Sequence, residues 1–294
     1  TRIFVMLLIT VLLIPVPVSA ETPAPPRIIL FIGDGMGEAH RTAAQWYAVG
    51  EDGALAMDAM PFRGMTGTTN VNGEITDSAA AGTAIATGVK TCNGAISVDI
   101  NGASLTTILE QAQDQGLAVG LATNTQMSHA TPATFAAHVN DRGEMRLIAS
   151  QMITRRVDVL LGGGKSYFEP ELITEAVNVG YTYVEDATGL SAIDPTTTTH
   201  LLGLFADGGM LRPYSPTLAS MTQTAIDVLS QDSDGFFLMV EGGQIDWASH
   251  ANDAANVISD TIDFDAAVAV GRDYAAQNDN VLVIVTADHE TGGI

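Results

Sequence analysis

The sequence predicts an α/β fold built on a mostly parallel sheet, and three observations carry that reading. Continuous apolar runs of strand length alternate with segments patterned as helices. The runs lack the polar alternation of a half-solvated strand, so they suit a sheet covered on both faces. Ligand-type residues follow three of the runs: Asp34, Glu241 and the pair Asp288-His289. Parallel sheets bind their ligands outside the carboxyl ends of the strands, which is where these residues would lie.

Taken in order, the first strand is Arg27-Ile28-Ile29-Leu30-Phe31-Ile32, and the turn Gly33-Asp34-Gly35-Met36-Gly37 leads into a helix from about Glu38. Further strands are expected at 117–123, 157–161, 236–240 and 281–286. Helices are expected at 78–87, 105–113, 144–155, 217–230 and 252–276. The stretch 167–214, with Thr196-Thr197-Thr198-Thr199, carries no readable motif.

Residues 1–20 read as a signal peptide rather than as part of the fold. Arg2 precedes an apolar run from Ile3 to Val18, and Val16-Pro17-Val18-Ser19-Ala20 offers small residues for cleavage. The expectation is export, to the periplasm or beyond the cell, with no stable membrane anchor. Residues 21–294 are long enough for one large domain or two small ones, and the absence of a repeat or low-complexity linker favours one. The single cysteine, Cys92, excludes an internal disulfide framework and reads as a small packed residue or a reactive thiol. A net charge of −22 with only Lys90 and Lys165 as lysines excludes a nucleic-acid-binding surface, which needs basic residues. It also sets a problem for any anionic substrate, which only bound cations could reverse locally.

Three motif-like segments fail on spacing. Gly33-Asp34-Gly35-Met36-Gly37 is not the dinucleotide pattern and puts a carboxylate where pyrophosphate would sit. Gly162-Gly163-Gly164-Lys165-Ser166 ends like a phosphate loop, but Val159 stands where its first glycine is needed. Neither Ser78 nor Cys92 is followed two residues later by the proline of a sulfatase-type site.

Two segments carry chemistry. Thr76-Asp77-Ser78-Ala79-Ala80-Ala81-Gly82-Thr83-Ala84 should start a helix with Ser78 in its first turn. Ser78 is then either a cap or a nucleophile facing free N–H groups and the positive end of the helix dipole. In Glu241-Gly242-Gly243-Gln244-Ile245-Asp246-Trp247-Ala248-Ser249-His250, Asp246 and His250 are four apart. A helical turn would put them on one face, ready to chelate an ion. Mixed imidazole and carboxylate ligation suits zinc, and an all-oxygen set suits magnesium.

These segments, with His129-Ala130-Thr131-Pro132-Ala133 and Arg142, resemble the alkaline phosphatase family from about Arg27 to the last residue. The resemblance implies a three-layer α/β/α fold, a homodimer, and hydrolysis of small phosphate monoesters through a phosphoserine. It implies two Zn2+ and one Mg2+. Ser78 stands at the nucleophile's position. Asp34, Asp288 and His289 match the ligands of the zinc that activates it, Asp246 and His250 those of the other zinc, and Asp34, Thr131 and Glu241 the magnesium site. Arg142 matches the arginine that clamps two phosphate oxygens, and Asp77 precedes the nucleophile.

His129 and Trp247 together resemble a bacterial branch of the family. His129 reads as a neighbour of the magnesium ligands or as a direct ligand, and Trp247 as lining the phosphate pocket or as packing. The family's further zinc-ligand histidine lies in a downstream segment, and His40, His138 and His200 do not match it. The expectation is therefore a C-terminally truncated copy, with weakened metal binding, an exposed sheet edge and impaired turnover. A phosphodiesterase or phosphonate hydrolase of the same superfamily, and a secreted metal- or phosphate-binding protein without turnover, are the alternatives.

Overall fold

Residues such as Ile29, Leu30, Phe31 and Ile32, none more than 6% exposed, can all be buried only in a strand covered on both faces. The computed structural model describes residues 24–293, so the expected signal peptide lies outside the described residues. In chain order the elements are β1 (Arg27–Gly33), α1 (Glu38–Val49), α2 (Ser78–Thr87), α3 (Ile108–Asp114), β2 (Ala118–Gln126), α4 (Ala130–Ala136), α5 (Met145–Arg155) and β3 (Val159–Gly163). They continue as α6 (Pro170–Asn178), β4 (Thr182–Val184), α7 (Ala187–Ser191), β5 (Leu201–Leu204), α8 (Leu218–Leu229), β6 (Phe236–Gly242), α9 (Gln244–His250), α10 (Ala254–Gln277) and β7 (Val281–Ala287).

Every paired strand runs parallel, in the order β4-β5-β3-β2-β6-β1-β7. The predicted strands and helices all appear, with ends shifted by a few residues. The stretch without a motif, 167–214, supplies α6, β4, α7 and β5 and so builds the far edge of the sheet. At the opposite edge β7 leaves Leu282 and Ile284 53% and 40% exposed.

Alternation along each strand divides the core into two layers, one on each face. Leu30, Ile32, Leu121 and Met239 pack with residues of α2 to α5, including Phe135 and Met152. Ile29, Phe31, Leu238 and Val240 pack on the other face with residues of α8 and α10, including Ile226 and Phe264. Caps start several of the helices: Thr107 and Glu110 form a capping box on α3, and Thr217 and Asp253 cap α8 and α10. Among the described residues no helix is long and apolar enough to cross a membrane.

Helix α10 approaches the sheet closely at Gly271, where an added Cβ would lie 2.6 Å from the Phe31 ring. Phe31 is fully buried and meets Phe264 edge-on at 6.2 Å, so it has little room to yield. Gly→Ala within a helix ordinarily stabilises by up to about 1 kcal/mol. Here the overpacking reverses the sign, and Gly271→Ala is expected to lose about 1–3 kcal/mol, measured as a lowered urea midpoint.

Candidate active site

The register brings Thr123, Glu241, Ile32 and Thr286 into one row across the adjacent strands β2, β6, β1 and β7. Asp34 leaves β1 just beyond that row, Asp288-His289 leave β7, and α9 follows β6. Parallel strands share one carboxyl end, so ligand-type residues far apart in the chain converge there.

Ser78 opens α2, and the capping role belongs to its neighbour. Asp77 Oδ1 accepts the Ala80 N–H at 2.9 Å, which leaves the serine hydroxyl free. Ser78 is 3% exposed; its Oγ donates to Asp34 Oδ1 at 3.2 Å and lies 3.3 Å from His289 Nε2. The other oxygen of Asp77 accepts from Arg142 Nη1 and from the Gly94 N–H, both at 3.0 Å. Arg142 is held a second time by His129 Nε2, which accepts from Nη2 at 3.0 Å, and the Arg142 N–H donates to Gly94 O at 2.8 Å. One residue, Asp77, thus fixes both the helix that carries the serine and the guanidinium beside it.

The acidic residues share a pattern: the protein binds one oxygen of each. Asp288 Oδ1 accepts the N–H groups of Gly35 and His289 at 3.0 and 2.9 Å. Glu241 Oε2 accepts the hydroxyls of Thr123 and Thr125. Asp246 Oδ1 accepts the Thr291 hydroxyl at 2.6 Å. Asp34 Oδ2, Asp288 Oδ2 and Glu241 Oε1 are buried without a hydrogen-bond partner among the described residues, as is Thr131 Oγ1. Burial is the main cause that raises the pKa of Asp34 well above the carboxylate range, and the charges of Asp288, Asp246 and Glu241 add to it. Burial likewise raises Asp288 and pushes Glu241 up to about 7, the latter against a lowering hydrogen bond from Thr123. A cation entering here would compete with protons for the same oxygens.

Among the described residues, two groups of side chains place ligand atoms within 4.8 Å of one another: Asp34 with Asp246 and His289, and Asp34 with His129 and Glu241. Asp288 borders the first, its Oδ2 lying 3.5 Å from His289 Nε2. Fully buried Thr131, in the first turn of α4, carries the partnerless hydroxyl. His250 stands outside both groups with an exposed side chain, its Nε2 3.4 Å from Asp246 Oδ1. Burial first, and the Arg142 charge second, lower the His129 pKa to about 3, so the ring is neutral. Trp247 meets that ring edge-on at 5.7 Å and packs against Gly209, where an added Cβ would come within 2.4 Å of the indole.

Several positioning residues carried no sequence signal. Thr123, Thr125 and Thr291 are ordinary residue types, and only the sheet register and the final turn bring them to carboxylates. His40 is buried, accepts the Gly37 N–H on Nδ1 at 2.9 Å and meets the Ser249 hydroxyl at 3.0 Å. It therefore ties the turn bearing Asp34 to the helix bearing Asp246. Its sole sequence signal was a histidine in a helix that matched no ligand position.

The family model that matches this chain is the one described as alkaline phosphatase, over residues 26–294. Alkaline phosphatase 4 of Bacillus subtilis (strain 168) is 42% identical over 287 residues, covering 91% of this chain but 62% of that protein. The chain thus spans about three fifths of that relative's length. The solved cold-active alkaline phosphatase of a psychrophilic Shewanella superposes with a TM-score of 0.87 at 39% identity, over 91% of this chain and 69% of the other. A histidine variant of the alkaline phosphatase from the Antarctic bacterium TAB5, solved with magnesium bound, gives a TM-score of 0.83 at 32% identity, over 92% and 79%.

The double role of Asp77 can be separated by substitution. Asp77→Ala removes cap and ion pair together and should cost about 1–2 kcal/mol in thermal unfolding. Asn can still cap, so Asp77→Asn should retain most of that stability while leaving Arg142 without its charged partner.

Proposed function

The chain belongs to the alkaline phosphatase family, and from that premise we propose that it hydrolyses phosphate monoesters through a phosphoserine on Ser78. The observation that carries the reading is Ser78 itself, freed from capping at a helix start, beside Asp34 and His289 and close to a doubly tethered arginine. Export and a homodimeric state belong to the same proposal, supported by the apolar run at 3–18 and by the family resemblance.

The residues fit divalent cations. Partnerless buried oxygens on Asp34, Asp288, Glu241 and Thr131 are what a site for cations requires, since unpaired buried carboxylates are otherwise costly. Asp34, Asp288 and His289 would hold one zinc ion, Asp246 and His250 a second, and Asp34, Thr131 and Glu241 a magnesium ion. Such cations lower the pKa of a serine hydroxyl and offset charge on entering and leaving oxygens.

The chain's own groups supply position and proton paths. Ser78 Oγ attacks phosphorus as the bond to the alcohol oxygen breaks, and its proton departs along the hydrogen bond to Asp34 Oδ1. The α2 N-terminus presents N–H groups to the dianionic phosphoserine. The Arg142 fork grips two non-bridging oxygens, which suits a monoester better than a diester. In that same first step the departing alkoxide takes a proton from solvent and leaves as the alcohol, and Asp34 gives the serine's proton back to solvent. Water then attacks the phosphoserine: its hydroxyl stays on phosphorus, the Ser78 Oγ–P bond breaks, and the water's other proton goes to Ser78 Oγ.

Hydrolysis of a chromogenic phosphate monoester at alkaline pH, with zinc and magnesium present, tests the reading. Ser78→Ala should lose about a thousandfold or more in kcat and fail to retain labelled phosphate after acid quenching, and a chelator should abolish parent activity. Unchanged turnover in Ser78→Ala would remove the serine from the mechanism. Arg142→Lys keeps the charge without the fork, and should lower kcat/KM roughly 10- to 100-fold.

A further inference from the structure

We propose that Thr291 is the positioning residue that aligns Asp246 and His289 for cation binding. The inference rests on the metal-dependent reading of the site above and adds to it a residue that carries no ligand atom. Thr291 is 8% exposed, and its Oγ1 lies 2.6 Å from Asp246 Oδ1 and 3.2 Å from His289 Nδ1. A carboxylate accepts only, so the hydroxyl proton goes to Asp246. The remaining lone pairs of that hydroxyl then face Nδ1, which must carry the imidazole proton. Nε2 is left as the nitrogen with a free lone pair, 3.3 Å from Ser78 Oγ and 3.6 Å from Asp34 Oδ1. The hydroxyl thereby joins the Glu290 carbonyl, 3.3 Å from Nδ1, in holding that tautomer of His289, and it ties the ring to Asp246, whose Oδ1 it occupies, leaving Oδ2 for an ion.

The backbone holds the hydroxyl in place. The Thr291 N–H donates to Gly35 O at 3.0 Å, and the Gly35 N–H donates to Asp288 Oδ1 at 3.0 Å. Gly35 has φ +68°, and a Cβ there would stand 2.9 Å from both Asp246 Oδ1 and Thr291 Oγ1. Only a glycine lets the turn after β1, the helix after β6 and the turn after β7 approach so closely. Other buried threonine hydroxyls, such as those of Thr222 and Thr261, bond the carbonyl four residues back in their own helices. Thr291 instead bridges two segments that each bring a ligand-type side chain.

Thr291→Val keeps shape and removes the hydroxyl, and Thr291→Ser keeps the hydroxyl and removes the methyl group. Calorimetric titration of zinc into metal-stripped protein should show binding weakened about 10- to 100-fold in the valine variant and within about threefold of the parent in the serine variant. Thermal unfolding of the stripped proteins shows that each is folded at the titration temperature. A valine variant that binds zinc like the parent overturns the inference alone. An equal loss in the serine variant also overturns it, because the effect then belongs to packing. A folded parent that binds no zinc overturns the functional reading and this inference with it.

Discussion

Four acidic side chains, Asp34, Asp246, Asp288 and Glu241, are each 6% exposed or less and are gathered at one end of one sheet. The remainder of the site follows from that constraint. A parallel sheet delivers all its strand ends to the same side, so each acid arrives from a different part of the chain without a long loop. Left alone, such a cluster would be a liability, since burial above all, with repulsion from neighbouring carboxylates, favours the protonated forms of Asp34, Asp288 and Glu241. The protein binds one oxygen of each acid with a hydroxyl or an N–H and leaves another oxygen of Asp34, Asp288 and Glu241 bare. Fixing one oxygen sets the direction of the other, and three rigid bare oxygens bind a cation better than three mobile ones.

The side of the site proposed to bind the anion obeys a different economy. Arg142 is tied by a carboxylate on one arm and a neutral imidazole on the other. Burial beside the guanidinium keeps His129 neutral, because a second cation there would repel the first. The same Asp77 that accepts from Arg142 starts α2, so guanidinium and serine share one anchor and cannot drift apart independently. The helix start contributes its N–H groups through geometry alone, without a further charged side chain.

The long apolar strands, the helices between them and the convergence of Asp34, Glu241 and Asp288-His289 were legible because they depend on local pattern and on the shared direction of parallel strands. Ser78 and Arg142 became legible through their segments rather than their residue types. What the sequence left obscure depends on tertiary approach. β4 and β5 are only three and four residues long, too short for a period to declare itself. Thr291 meets Asp246 across 45 residues, Thr123 meets Glu241 across 118, and Gly209 meets Trp247 through space alone. Threonine and glycine occur in many roles, so no spacing rule singles these out before the sheet register is known.

The net charge of −22 and an anionic substrate are compatible once distance and burial are separated. At physiological ionic strength, exposed charges are screened over about 8 Å, so most of the acidic surface contributes little inside a pocket at the strand ends. The buried carboxylates are screened least, and they are the ones positioned to be offset by divalent cations. On the proposed reading, Arg142 and the α2 N-terminus would act where cations cancel the opposing charge. The sign of the field that the proposed phosphate substrate would meet is therefore set by a handful of buried groups, and the acidic surface is free to serve solubility.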